Sequence, residues 1–204
     1  MASIYDLKTR FQDLLRPTAR VLARAGVRPN AVTLAALLGS VAVGGALLGG
    51  RNHPALLLLL PVWLFIRMAL NALDGMLARE LHLCSRLGAV LNEFGDVVSD
   101  LALYLPLALV CEPAKWPTVT FAIGAVLTEF SGVLAAALGA GRRYEGPMGK
   151  SDRALLIGLL ALATLAAPAL YAWWIWVFSV ATALAAFTCW NRLSGAIHSE
   201  SDQL

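Results

Sequence analysis

The sequence predicts an all-α integral membrane protein, with six transmembrane helices preceded by an N-terminal interfacial amphipathic helix. Three observations support this fold class. Hydrophobic residues make up 59% of the 204 residues and charged residues only 14%, whereas about 25% of an ordinary soluble domain is charged. The apolar residues occur in runs, and a helical run of about 20 residues is long enough to cross a bilayer. The basic residues lie mostly between those runs. We therefore expect one membrane domain over residues 1–204.

Residues 1–28 precede the first apolar run and are predicted to form the amphipathic helix. Apolar side chains recur there at helical spacing, at Ile4, Leu7, Phe11, Leu14 and Leu15. Asp6, Asp13 and several basic residues interrupt the segment, which argues against a signal peptide with a continuous apolar core. The pattern suits a helix that lies in the membrane interface. A helix packed against other parts of the protein explains the same pattern equally well.

Six apolar runs follow this segment and are predicted to be the transmembrane helices. They cover residues 31–49, 54–73, 89–110, 117–140, 154–167 and 169–190. Only Pro168 separates the last two runs, and residues 154–190 contain no charged side chain. A single helix kinked at this proline is therefore the alternative interpretation. The placement of charge in the loops favours six spans.

Basic residues fall mainly on one side of the six-span arrangement. The side of the N-terminus carries thirteen of them, whereas the opposite loops carry only Arg51 and Lys115, and Arg67 lies within a span. By the positive-inside rule this bias places both termini in the cytoplasm. The same placement explains the net charge of +3 without a nucleic-acid partner.

Polar side chains cluster inside the predicted spans. The second span has Arg67, Asn71 and Asp74 on one helix face, the third has Asn92, Glu93, Asp96 and Asp100, and the fourth has Glu129. An ionisable group inside a membrane is costly unless it is paired, bound to metal or solvated, so each is a candidate functional residue. The alternative interpretation is that these groups join helices to one another or relay protons.

The polar faces of the second and third spans are predicted to meet at the cytosolic surface. A short loop around residues 80–88 joins the two spans there. Carboxylate and amide oxygens are hard ligands that suit Mg²⁺, Mn²⁺ or Ca²⁺. Gly75 and Ala78 lie on the same wall, and their small size leaves room for a bulky ligand such as a pyrophosphate.

The residues of these two spans resemble the signature of the CDP-alcohol phosphotransferase family, D-x2-D-G-x2-A-R-x8-G-x3-D-x3-D. At the eight fixed positions this sequence has Asn71, Asp74, Gly75, Ala78, Arg79, Gly88, Asn92 and Asp96. Six of the eight match, and the spacing is kept throughout. Pro29-Asn30 and Gly149-Lys150-Ser151 also resemble family features, and in detail the chain resembles a YnbA-like bacterial subgroup.

The resemblance implies a divalent-metal-dependent transferase of phospholipid synthesis, a homodimer in the bacterial inner membrane with its active site facing the cytosol. It implies Mg²⁺ or Mn²⁺ as cofactor, CDP-diacylglycerol or a similar CDP-lipid as donor, and a small hydroxyl acceptor, free or phosphorylated. By position, Asp74 and Asp96 would bind metal, with Asn71 and Asn92 at the other two ligand positions. Asp96 would also be the general base on the acceptor. The donor-binding residues would be Gly75, Ala78, Arg79 and Gly88. Arg67 is not a signature position, but it lies one helical turn before Asn71, within reach of a phosphate or Asp74, so we add it to the predicted donor-binding residues.

Basic residues before the fifth span form a second candidate site on the cytosolic side. They are Arg142, Arg143, Lys150 and Arg153. We interpret them as an anion pocket that binds an acceptor phosphate. Positive-inside charge that only orients the protein is an equally good interpretation.

The sequence departs from the family signature at two metal positions. The first and third aspartates of the signature are Asn71 and Asn92 here, and an amide oxygen does not balance the charge of a cation. We therefore hypothesise one tightly bound ion, with Arg67 near the place of the second. In the alternative, Glu93 or Glu129 restores a second metal site.

These departures leave other functions open beside the transferase. One is a catalytically weakened relative that binds CDP-lipid or lipid without turnover, because the two asparagines weaken metal binding. Another is a small ion-coupled transporter that uses Asp100 and Glu129.

Overall fold

The structure, a computed structural model, describes the backbone of residues 4–201 and the side chains of residues 11–199. Within this range the chain forms α-helices and short 3₁₀ segments and no strand. The α-helices are α1 (Ile4–Arg24), α2 (Pro29–Gly49), α3 (Leu59–Glu80), α4 (Arg86–Tyr104), α5 (Leu107–Val110), α6 (Lys115–Ala137), α7 (Lys150–Ala166) and α8 (Trp174–Ser201). The 3₁₀ segments are Pro54–Leu58, Glu112–Ala114 and Pro168–Trp173. The predicted all-α class is confirmed.

Four helical stretches of the described chain are long and apolar enough to cross a membrane. They are Pro29–Gly49, Pro54–Glu80, Glu112–Ala137 and Pro168–Ser199. The predicted third and fifth spans differ from these four. Several polar side chains interrupt the apolar character of α4, and α7 has only 17 residues. The protein is therefore an integral membrane protein with at least these four apolar helices.

Two prolines break the helices near one end of the bundle. The predicted span 89–110 is divided, because α4 ends at Tyr104 and α5 begins at Leu107, with Pro106 between them. Proline has no amide hydrogen to continue a helix, which explains the break. At Pro168 the chain passes from α7 through a 3₁₀ segment into α8, so these are two helices.

Local turn chemistry positions the helix ends near the polar residues. Gly26, with φ +72°, ends α1, and the Val27 amide donates back to the Leu22 carbonyl at 3.0 Å. This left-handed position costs glycine nothing. The Ser85 hydroxyl caps α4 by accepting from the Gly88 amide at 3.0 Å. The end of α3 and the start of α4 consequently lie at the same end of the bundle.

An aromatic cluster fills the core beyond the polar residues. The rings of Tyr104 and Phe121 have centroids 5.4 Å apart, as do those of Phe121 and Phe178, and Trp174 lies 5.7 Å from Phe178. All four side chains are buried. They join α4, α6 and α8 one turn beyond Asp100, so the polar part of α4 is enclosed by packed helices on its inner side.

One face of α1 packs against the rest of the protein. Ala19 is buried in a cluster with Leu73 and Leu77 of α3, while Leu14 and Val21 on another face of α1 are exposed. The packed-helix interpretation therefore explains part of the amphipathic pattern. Ile4 and Leu7, which begin that pattern, lie outside the residues whose side chains are described.

Candidate active site

Polar side chains connect α3 and α4. In the described chain α2 packs against both helices, and α3 and α4 are not packed along each other. The Asn71 amide on α3 donates to Oδ1 of Asp96 on α4 at 3.1 Å. The guanidinium of Arg67 donates to the same oxygen at 3.2 Å. The two halves of the signature therefore meet at Asp96.

Asp74 lies on α3 and is held by α2. Its Oδ2 accepts a hydrogen bond from the Thr33 hydroxyl at 2.9 Å, and the residue is only 4% exposed. Asp96 and Lys150 are both within electrostatic range of this carboxylate. Asp74 and Asp96 therefore lie near each other, although no described side chain donates a hydrogen bond to both.

A lysine from a distant part of the sequence pairs with Asp96. The ammonium of Lys150 forms an ion pair with Oδ2 of Asp96, across 54 residues of chain. Lys150 is the first residue of α7, which packs against α3, and Gly149 before it donates its amide to Asp152 at 3.0 Å. Both oxygens of Asp96 are thus in contact with cationic groups of the same chain.

Behind Asp96 lies a buried network of alternating charges. Asp100 accepts from Arg67 at 2.5 Å through one oxygen and from Arg153 at 2.8 Å through the other. Arg153 also donates to Glu129 at 2.8 Å and to the Thr128 hydroxyl at 2.7 Å. Arg67 and Asp100 are each 3% exposed, and Arg153 is fully buried. The network ties α3, α4, α6 and α7 together.

The network continues to the surface through Arg142. This guanidinium donates to Glu129 at 2.8 Å and to both oxygens of Glu93, at 3.0 and 2.8 Å. A Cβ at Gly132 would overlap the Arg142 guanidinium, so glycine at this position allows the arginine to lie against α6. Glu93 and Glu129 are therefore both engaged by arginine.

Arg143 belongs to the same loop and holds it against α8. Its guanidinium donates to the Gly195 carbonyl and to Glu145, both at 2.8 Å. This hydrogen bond from Arg143 holds the pKa of the Glu145 carboxyl below its ordinary value. The loop between α6 and α7 is thus held in place by its own basic residues.

The predicted donor-binding residues line the start of α4 and the end of α3. Gly75 and Ala78 are half-buried, and Arg79 is exposed. A Cβ at Gly88 would lie 3.0 Å from the side-chain oxygen of Asn30, so Gly88 allows α4 to begin close to α2. Asn92, one turn before Asp96, is exposed.

The site around Asp96 offers few hard oxygen ligands for a metal ion. Among the side chains that the structure describes, no group of three or more His, Cys, Asp or Glu residues is placed to hold a metal. Asp74, Asp96 and the Asn71 amide remain as hard oxygen ligands. The nearby carboxylates of Glu93, Glu129 and Asp100 are engaged by arginine.

Sequence reasoning missed two contacts of the site. Thr33 was not a candidate, although a hydroxyl at the start of an apolar helix near Pro29 was a weak signal for a polar partner. Lys150 was predicted to bind the acceptor, but nothing in the sequence indicates that it reaches Asp96. Arg153 was predicted in the same anion pocket and lies in the buried network instead.

Comparison with known proteins shows which family this chain matches. The CDP-alcohol phosphatidyltransferase family matches residues 27–190. The chain is 48% identical to the inner membrane protein YnbA of Escherichia coli over 93% of this chain and 94% of that protein. It is 37% identical to a phosphatidylinositol phosphate synthase of Mycobacterium marinum, over 48% of this chain and 40% of that protein.

Solved structures share the fold at lower identity. The phosphatidylinositol phosphate synthase of Mycobacterium tuberculosis with CDP-DAG bound is similar with a TM-score of 0.73 and 24% identity, over 88% of this chain and 92% of that one. The same enzyme in complex with manganese and citrate has a TM-score of 0.73 and 24% identity, over 88% of this chain and 87% of that one. The chain belongs to the CDP-alcohol phosphatidyltransferase family, whose reaction transfers a phosphatidyl group from a CDP-linked lipid in phospholipid synthesis.

Proposed function

We propose that this chain transfers the phosphatidyl group of CDP-diacylglycerol, or a similar CDP-linked lipid, to a small hydroxyl acceptor at Asp74 and Asp96. The single observation that carries the site assignment is the meeting of α3 and α4 side chains at Asp96, where Asn71 donates at 3.1 Å. Asp74 lies on the same helix as Asn71, within electrostatic range of Asp96. The retained carboxylates of the signature therefore serve one reaction centre.

The reaction needs a nucleophile, a base and a leaving group. The acceptor hydroxyl attacks the phosphorus that carries the diacylglycerol, and its proton passes to the carboxylate of Asp96. The bond from this phosphorus to the bridging oxygen breaks, and CMP leaves with that oxygen. Asp74, Asp96 and Asn71 would hold Mg²⁺ or Mn²⁺, which when bound neutralises charge that develops on the phosphates.

Three of the five predicted donor-binding residues, Gly75, Ala78 and Arg79, retain their assignment in this proposal. Arg67 was also predicted to bind the donor, but it is buried and donates to Asp96 and Asp100, so we propose that it stabilises the site instead. Gly75 and Ala78 have small side chains next to the metal positions, so a nucleotide diphosphate can approach the α3 backbone. Arg79 is exposed and free to reach a phosphate. For Gly88 we propose a packing role, because its contact is with Asn30.

The proposed acceptor site includes fewer basic residues than the four predicted from the sequence. Arg142 and Arg153 are engaged with carboxylates inside the bundle, so we propose that they stabilise the fold. Arg143 is paired with Glu145. Lys150 remains, with its side chain 32% exposed beside Asp96, and we propose that it lies next to the acceptor.

Release of CMP tests the proposed function directly. Purified protein is incubated with CDP-diacylglycerol, Mn²⁺ or Mg²⁺, and a panel of polyols and polyol phosphates. We expect CMP release that requires both an acceptor and the metal, and that stops when EDTA removes the metal. Mass spectrometry of the lipid formed identifies the acceptor. A purified, folded protein that releases no CMP with any acceptor or metal contradicts the proposal.

One observation favours a second candidate function. Both oxygens of Asp96 are engaged by Arg67, Asn71 and Lys150, which weakens the carboxylate as a metal ligand and as a base. A relative that binds CDP-lipid without turnover would show this arrangement. Nucleotide binding without CMP release in the same experiment supports that alternative. The ion-coupled transporter has no such support, because Asp100 and Glu129 are both held by arginine.

We also propose the complete topology of six spans, an interfacial α1 and a single domain over residues 1–204. Large apolar side chains are exposed on α4 at Val90 and Phe94 and on α7 at Leu155 and Leu159. Asp96 and Asp100 of α4 and Arg153 of α7 instead contact other helices. This division suits helices that face lipid on one side and the bundle on the other. A homodimer, which the family resemblance implies, stays a prediction.

The cysteine in the turn between α3 and α4 tests which side of the membrane carries the site. Cys84 is exposed, whereas Cys111 is buried. We expect a membrane-impermeant maleimide to label Cys84 in inside-out vesicles and to leave it unlabelled in right-side-out vesicles, because the positive-inside rule places this turn in the cytosol. Loss of this labelling in Cys84→Ser shows that the maleimide reacts with Cys84. Arg51→Cys is the matched control and should show the opposite pattern, and labelling of Cys84 in right-side-out vesicles overturns the proposed orientation.

A further inference from the structure

Two cations of the chain itself surround Asp96. Lys150 forms an ion pair with Oδ2, and Arg67 donates to Oδ1 at 3.2 Å. The two cations differ in their other contacts. Arg67 also donates to Asp100 at 2.5 Å, whereas Lys150 forms its ion pair with Asp96. Arg67 is therefore shared between two carboxylates, whereas the charge of Lys150 is directed at Asp96.

The position of Lys150 in its helix makes this ion pair informative. Lys150 is the first residue of α7, and a positive charge at a helix N-terminus is unfavourable because the helix dipole is positive there. The residue is also partly removed from water, with a side chain 32% exposed. The carboxylate of Asp96 offsets this unfavourable contribution by placing a negative charge next to the ammonium.

The carboxylates near the motif leave no negative charge for a second divalent ion. Two of the four signature aspartates are neutral amides here, at Asn71 and Asn92. Of the nearby described carboxylates, Glu93, Glu129 and Asp100 are engaged by arginine. The remaining pair, Asp74 and Asp96, balances one divalent ion, and the Lys150 ammonium already lies on Asp96.

We propose that the ammonium of Lys150 takes the place of a second divalent cation beside Asp96, so that this chain holds at most one divalent ion at the motif. The proposal rests on the proposed function only in that both concern the same site. A tethered ammonium brings positive charge to the reacting phosphate without the loss of entropy that binding an ion requires. It also competes with the ion for Asp96, because like charges repel at short range.

Manganese binding to the full-length protein in detergent tests this inference without any turnover. We expect the wild type to bind at most one Mn²⁺ per chain by electron paramagnetic resonance titration. Lys150→Gln should bind Mn²⁺ about tenfold more tightly or gain a second ion, since it removes a unit charge from Asp96. Lys150→Arg keeps the charge and should bind as the wild type does.

Two controls identify the origin of the effect. Lys115→Gln removes a lysine that pairs with Glu112 at 3.9 Å on another part of the molecule, so Mn²⁺ binding should not change. Combining Lys150→Gln with Asp96→Asn should remove the gain, because the ligand that was released is lost. Size-exclusion profiles of all variants confirm that each is folded.

Binding of two Mn²⁺ ions by the wild type overturns the inference, whatever the variants do. An unchanged Mn²⁺ affinity in folded Lys150→Gln overturns it as well. CMP release by the wild type, measured on the same preparations, separates the two proposals. If the wild type releases CMP but Lys150→Gln binds Mn²⁺ with unchanged affinity, only the proposed role of Lys150 is wrong. If Lys150→Gln binds Mn²⁺ more tightly but the wild type releases no CMP, only the proposed transferase activity is wrong.

Discussion

Asp96→Asn is expected to reduce CMP release from CDP-diacylglycerol by about 10²–10⁴-fold, the usual contribution of a general base. The amide cannot accept the proton of the acceptor hydroxyl, and it offers one metal ligand without charge. The affinity for Mn²⁺ should fall in the same variant. Both effects follow from the position of Asp96, where α3, α4 and α7 side chains meet.

Asp13→Asn is the matched control for this variant. Asp13 lies on α1, is exposed and pairs with Arg16 at 3.3 Å, so CMP release should not change. Thermal unfolding of both variants shows whether either one is damaged. Asp96→Asn that unfolds normally and still releases CMP at the rate of the wild type rules out Asp96 as the base.

Arg153→Met should lower the free energy of unfolding by about 3–5 kcal/mol, the range for breaking a buried ion pair by removal of one partner. Arg153 is fully buried and donates to Asp100 and Glu129, both at 2.8 Å. Its loss leaves each of these buried carboxylates with fewer positive partners. The effect is on stability, since we assign Arg153 no contact with substrate.

Reversible unfolding in mixed micelles measures this loss. Arg16→Met is the control, because Arg16 is half-exposed and its pair with Asp13 should contribute less than about 1 kcal/mol. The double variant with Asp100→Asn should be less unstable than the sum of the single variants, since the two residues interact directly. Additive effects of the two substitutions would contradict a shared network.

The helices themselves could be predicted because their causes are local. The apolar run of α2, predicted at 31–49, is a helix at Pro29–Gly49. The separation of α7 from α8 at Pro168 follows from a proline that cannot continue a helix. Pro106 separates α4 from α5 for the same reason, but the break was not predicted because apolar residues continue on both sides of this proline.

The candidate site could be predicted only in part. The spacing of Asp74 and Asp96 places them on neighbouring helices, and one short stretch of sequence is enough to predict this. Their partners are elsewhere, since Thr33 comes from α2 and Lys150 from α7. A contact across 54 residues depends on how helices pack, and no local pattern encodes it.

By itself, the sequence determined the all-α membrane class, the signature positions and the chemical family, because hydropathy, proline breaks and motif spacing are properties of short segments. Only the tertiary structure decided which charges neutralise one another. The four basic residues before the fifth span look equivalent in sequence, yet Arg153 is buried at Asp100 and Lys150 lies at Asp96. The reason is physical: in a medium of low dielectric constant each charge requires a partner nearby, and the packing of α3, α4, α6 and α7 determines which partner is near.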